Sequence, residues 1–173
     1  MTDAPMTETL QEIDRKVPII FTPPVERQTL PASGRFMALL VALAPLSVLI
    51  VASQLPPAPA GTGTHLQMGF QRCEFLRTTG LPCPSCGMTT SFSWFVRGNW
   101  LASLYVQPGG FALALLCGAI FWAGMYAAIT AAPLHRLLRQ IPGIYSVPII
   151  LGFFIAAWGW KIFIHLKGID GWH

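Results

Sequence analysis

The sequence predicts an all-α integral membrane protein with three transmembrane helices, a Cys-rich loop and a short amphipathic interfacial helix within that loop. Three observations predict this. First, hydrophobic residues make up 53% of the 173-residue chain and charged residues only 10%, with a mean hydropathy of +0.55. A soluble domain carries about 25% charged residues, so this chain cannot coat itself for water. Second, the sequence contains long apolar runs of about 20 residues, the length that crosses a bilayer core of about 30 Å. Third, of the four cysteines, Cys73, Cys83 and Cys86 crowd into one interval between the first two runs. The length is that of one domain.

Residues 1–34 read as a disordered polar tail that rests on the membrane surface. It holds Asp3, Glu8, Glu12, Asp14 and Glu26 and is rich in proline. Residues 35–173 form the membrane domain. Its first span is "FMALLVALAPLSVLIVASQL", Phe36 to Leu55, with Arg35 at one end and Pro45 placed to kink it. The "APA" at 58–60 faintly resembles a cleavage site. The run exceeds a signal-peptide core, however, and is read as a retained span. A Pro/Gly linker, "PPAPAGTGT", leads into the Cys-rich loop at 65–98. "NWLASLYVQPGG" then predicts a short helix capped by Asn99 and broken by Pro108-Gly109-Gly110.

The second span, Phe111 to Ala132, has no charge. Its small residues Ala112, Ala114, Gly118, Ala119, Ala123 and Gly124 let another helix come close. Residues 133–146 form a short connection with a Pro-Gly turn. The third span is Val147 to Leu166, with Trp158, Trp160 and Lys161 as interfacial anchors near its end. Lys161 is expected to snorkel toward the headgroups.

Three spans place the termini on opposite sides of the membrane. Arg35, Arg136 and Arg139 lie close to span ends and favour a cytoplasmic N-terminus. The Cys-rich loop then faces outward, where disulfides persist. The net charge of +4 is spread along the chain without the aromatic interleaving of a nucleic-acid face. The expected partners are the lipid bilayer and other membrane proteins, with no nucleic acid.

The chemistry concentrates in "GLPCPSCGMTTSF", residues 80–92. Pro84 suits the first position of a helix because its missing N–H would be an orphan there. That reading makes Cys83 the N-cap, Cys86 the third helical residue, and 84–97 one helix. Met88, Phe92 and Phe95 form its apolar stripe, with Thr89, Thr90, Ser93 and Arg97 mostly opposite. Arg97 and Gly98 close it. A helix N-terminus stabilises thiolate, the form needed both for metal binding and for disulfide exchange.

Three meanings stay open. As a metal site, Cys83 and Cys86 supply the tight pair, Cys73 a third thiolate and His65 a fourth ligand, a set that zinc accepts. As a redox site, the CPSC pair exchanges with a neighbouring thiol or a quinone, and Cys73 is the resolving partner. As a structural element, the thiols hold the loop against the bundle. Gly80 and Gly87 serve turn geometry. Thr89 and Thr90 bond a ligand or, more commonly, their own helix. Cys117 lies mid-span as a small packing residue.

These residues carry a resemblance. "CEFLRTTGLPCPSCGMTTSF" followed by "VRGNWLASLYVQPGGFALAL" resembles the bacterial membrane family catalogued as domain of unknown function 2752. The matching positions are Cys73, Thr79-Gly80, Pro82 to Thr89 (with Pro84 and Gly87 in the core motif), Gly98, Ala102 and Gln107-Pro108. Many members carry arginine after the motif threonine where this chain has Thr90. The resemblance implies a small multi-span protein of the bacterial inner membrane and supplies no reaction. The expectation is an accessory or scaffold protein rather than an enzyme, with a Cys clasp closed by zinc or a disulfide. The alternative is a membrane thiol-disulfide oxidoreductase.

Overall fold

The computed structural model describes residues 30–131 and 143–172, with the side chains of 143–145 outside that description. The polar tail up to residue 29, the connection at 132–142 (with His135, Arg136 and Arg139) and His173 therefore lie outside the described residues. Among the described residues every regular element is helical. α1 is Ala32–Gln54, a 3₁₀ helix covers Thr64–Met68, and α2 is Glu74–Thr79. α3 is Met88–Val96, α4 Trp100–Val106, α5 Pro108–Thr130 and α6 Gly143–Leu166. α1, α5 and the 146–166 portion of α6 are long and apolar enough to cross a membrane.

Their outer faces are dressed for lipid. Phe36 is 62% exposed, Trp122 71% and Ile149 70%, far more apolar surface than a soluble monomer displays. The core they share is built from small residues: Ala42, Ala52, Ala114, Ala127, Ala128 and Ala157 are all buried. Without a hydrophobic drive between helices in lipid, close packing is what holds them.

α1 and α5 run antiparallel. Arg35 Nε at the start of α1 donates to Ala128 O at 2.8 Å, and Leu30 N–H donates to Ala131 O at 2.8 Å. At their closest approach Gly124 meets Ala38 and Ala42. At the other end of α5, Gly109 lies against Phe154 and Ala157 of α6. The Cys-rich loop and the C-terminal segment therefore meet at the same end of the bundle.

Two expectations are corrected here. Pro108-Gly109-Gly110 does not break a helix but begins α5, with Pro108 at its first position. There the missing N–H costs nothing, and the two glycines are buried contacts with α6 and α3. Gly118, placed among the close-approach residues, has nothing within 4 Å of where a Cβ would stand, whereas Gly124 of the same set makes the approach.

A Cβ at Gly124 would sit 2.9 Å from Ala38 O and from Ala42 Cβ. Gly124→Leu should therefore destabilise the bundle by about 1–3 kcal/mol, read as a lower unfolding midpoint in detergent. Gly118→Leu should leave the midpoint unchanged.

Candidate functional site

The CPSC stretch folds as a turn, not as the first turn of a helix. Cys86 N–H donates to Cys83 O at 3.0 Å, and Met88 N–H donates to Ser85 O at 3.1 Å. Gly87 follows in the left-handed region, with φ +87°. A residue with a side chain rarely adopts that conformation, so Gly87 ends the turn and α3 starts only at Met88. This corrects the expectation of one helix over 84–97 with Cys83 as its cap. A turn followed by a left-handed residue gathers backbone N–H groups into a concavity that suits anionic sulfur.

The remainder of the loop also forms helices the sequence did not reveal. Residues 64–68 wind into the 3₁₀ helix between left-handed Gly63 and Gly69. α2 starts directly after Cys73 and ends at Gly80, again left-handed at φ +70°. This folding brings Cys73 back to the CPSC turn. The Sγ atoms of Cys73, Cys83 and Cys86 all lie within 4.8 Å of one another, and Cys83 and Cys86 are 3.2 Å apart. All are free thiols. His65 does not join this cluster, since its Nε2 lies 3.3 Å from Gln71 O. It nevertheless lines the same 320 Å³ cavity as the three cysteines, together with Thr89. Cys117 sits on α5, apart from the cluster.

Three side chains outside the loop hold the turn. Trp158 Nε1 on α6 donates to Pro82 O at 2.9 Å. Gln107 Nε2 donates to Pro84 O at 2.8 Å. Lys161 packs its end against Gly87, where a Cβ would lie 3.4 Å from Nζ. Lys161 does not snorkel. Its side chain is fully buried, with Nζ 3.1 Å from Asp170 Oδ1 and 3.4 Å from Gly61 O. A charge inside an apolar run was the sequence signal for this; the Trp158 and Gln107 bonds had none.

α3 turns its polar side inward. Thr90, Ser91 and Ser93 are buried, while Phe92 lines an apolar groove beside α1. The Thr90 hydroxyl turns away from its own helix and lies 2.8 Å from that of Thr64. Ser91 and Ser103 exchange bonds: Ser91 Oγ donates to Ser103 O at 2.9 Å and Ser103 Oγ to Ser91 O at 2.8 Å. This stitches α3 to α4. Asn99 caps α4 as expected, accepting from Ala102 N–H at 3.1 Å. Arg97 closes α3 through Ser93 O and reaches Ser53 O at the end of α1.

Residues 73–121 match the family described as protein of unknown function (DUF2752). The match bears out the resemblance read from the motif. It spans the three cysteines, α2 to α4 and the first part of α5, and it stops before α6. No curated protein and no solved structure matches the chain.

Within this DUF2752 segment the thiols are unequal. Burial pushes the Cys83 thiol up, but hydrogen bonds from the Ser85 hydroxyl, from Cys86 and Cys73, and from the Ser85 backbone outweigh it and bring it to about 7. Burial pushes Cys86 up as well, and there the bonds to Cys83 and Cys73 add to it, reaching about 12. Of the CPSC pair, Cys83 is therefore the first to lose its proton. In the reduced, metal-free protein its alkylation by iodoacetamide should rise with pH through a midpoint near 7, followed by mass spectrometry. Ser85→Ala, which removes the hydroxyl 3.2 Å from Cys83 Sγ, should move that midpoint upward.

Proposed function

We propose that this is a membrane accessory protein whose extramembrane loop is closed by a metal clasp of Cys73, Cys83 and Cys86. The observation that carries it is the return of Cys73 to the CPSC turn, with three sulfurs within 4.8 Å. Disulfide exchange needs only two thiols, whereas a structural zinc site takes four ligands, and three gathered thiols supply most of such a set. Tetrahedral zinc with Zn–S of about 2.3 Å places its sulfurs roughly 3.8 Å apart. The pair at 3.2 Å need open only slightly to reach that spacing. His65, on the wall of the same cavity, is the proposed fourth ligand once its imidazole turns from Gln71. Loading releases the thiol protons and ties α2, the turn and the 3₁₀ helix together.

The proposed location is a bacterial inner membrane, with the N-terminus cytoplasmic and the clasp outside. A second membrane protein is the proposed partner. The positions of Arg35, Arg136 and Arg139 support this orientation.

The unequal thiols favour a second reading. Cys83 at about 7 resembles an exchanging nucleophile and Cys86 at about 12 its buried partner. One experiment separates the two. The full chain, purified in detergent, should carry one zinc per molecule. Cys73→Ser, Cys83→Ser and Cys86→Ser should each lose it, Cys117→Ser should keep it, and His65→Ala should bind more weakly. Metal-free protein with a readily reduced Cys83–Cys86 disulfide, and a mixed disulfide trapped by Cys86→Ser, would favour the redox reading and overturn the clasp.

A further inference from the structure

The last turns of α6 point two polar side chains, Trp158 and Lys161, at the cysteine loop, and His165 follows them at helical spacing along the same face. Trp158 holds the carbonyl just before Cys83. Lys161 lies against Gly87, just after Cys86. The two clamp the CPSC turn at both ends, from a span that the DUF2752 match does not reach.

Lys161 needs a reason to be charged. Its side chain is wholly buried, and burying an ammonium is costly unless anionic groups face it. Asp170 is one such group, but its other oxygen lies 2.6 Å from His165 Nδ1, so the carboxylate is shared. The remaining neighbours are Gly61 O and the Gly87 backbone beside the cysteine cluster. Three thiolates around a divalent ion carry one net negative charge. Gly87, lacking a Cβ, lets the ammonium come up behind that cluster.

We infer that Lys161 is a positioning residue of the thiolate centre, set behind the CPSC turn as the positive charge that offsets a loaded cluster. The inference rests on the metal reading and extends the site to α6 and the C-terminal segment. A merely structural lysine would pin Asp170 and nothing more.

Cobalt(II) titration of the full chain, read by its thiolate charge-transfer absorption and by competition with a chelator, separates these roles. Lys161→Met leaves Asp170 short of a partner and can unsettle the fold, so the deciding variant is Lys161→Met with Asp170→Asn, which removes both charges together. If the charge serves the centre, the double variant binds cobalt at least tenfold more weakly at unchanged helix content, and Lys161→Arg stays within a few fold of the parent protein. A double variant that binds as tightly as the parent overturns the inference and leaves the metal reading intact. If the parent itself shows no charge-transfer band, the metal reading fails and the inference falls with it.

Discussion

The carbonyl groups on either side of Cys83 set the terms for the rest of the site. Pro82 and Pro84 bring no N–H, so the turn cannot satisfy itself as a helix would. Pro82 is fully buried, at the end of a bundle whose outer faces are apolar. Where water is scarce, each backbone carbonyl must find a protein donor. Trp158 supplies one from α6 and Gln107 the other from the junction of α4 and α5. The turn is thereby registered against two spans at once, with Cys83 between its two anchors. The bond to Pro84 also fixes which way the Gln107 amide points, and its Oε1 is buried without a hydrogen-bond partner as a result. One orphaned acceptor, costing about 1–3 kcal/mol, is tolerated where the turn depends on the opposite end of the same amide.

α3 inverts the usual logic of an amphipathic helix. A short helix on the surface of a soluble protein would bury Met88, Phe92 and Phe95 and expose its hydroxyls. Here Thr90, Ser91 and Ser93 face inward, where each hydroxyl meets a partner within the protein. Each finds one: Thr64 for Thr90, Ser103 for Ser91, and the Thr89 carbonyl for Ser93. The Ser91–Ser103 exchange allows α3 and α4 to fold back to back. Gly110 lets α5 pass directly behind them, 2.9 Å from Ser91 Cβ to where its own Cβ would be.

The spans were legible because each is a long local run whose composition alone decides its solvent. The cysteine cluster was legible as a set, since three scarce residues in one interval rarely arise from packing. Its local geometry was not. Pro84 argued for a helix start, and that rule holds where the following residues can continue the helix; Gly87 at φ +87° prevents it. The α2 helix was missed because six residues, Glu74–Thr79, carry no periodicity to read. Lys161 was assigned to the headgroups because a lysine near a span end commonly reaches them. Its actual partner, Asp170, comes from the segment that follows the span. No local pattern announces that the chain turns back there.

That return ties the site to the whole chain. Ile169 O accepts from the Tyr105 hydroxyl at 2.8 Å, and Trp172 packs on the Tyr105 ring with centroids 5.5 Å apart. At Gly61, φ +67°, a Cβ would stand 1.9 Å from Asp170 O, so no other residue fits without displacing the tail. Gly87 meets Gly61 O from the other side, a Cβ there falling 2.9 Å away. Two glycines thus let the linker, the cysteine turn and the C-terminal segment converge around one buried ammonium. The 73–121 segment carries the sulfurs, but the groups that hold their turn include Gly61 before it and Trp158, Lys161 and Asp170 after it. A fragment limited to that segment would keep the motif and lose the clamp, so the chemistry of the cysteines belongs to the assembled bundle.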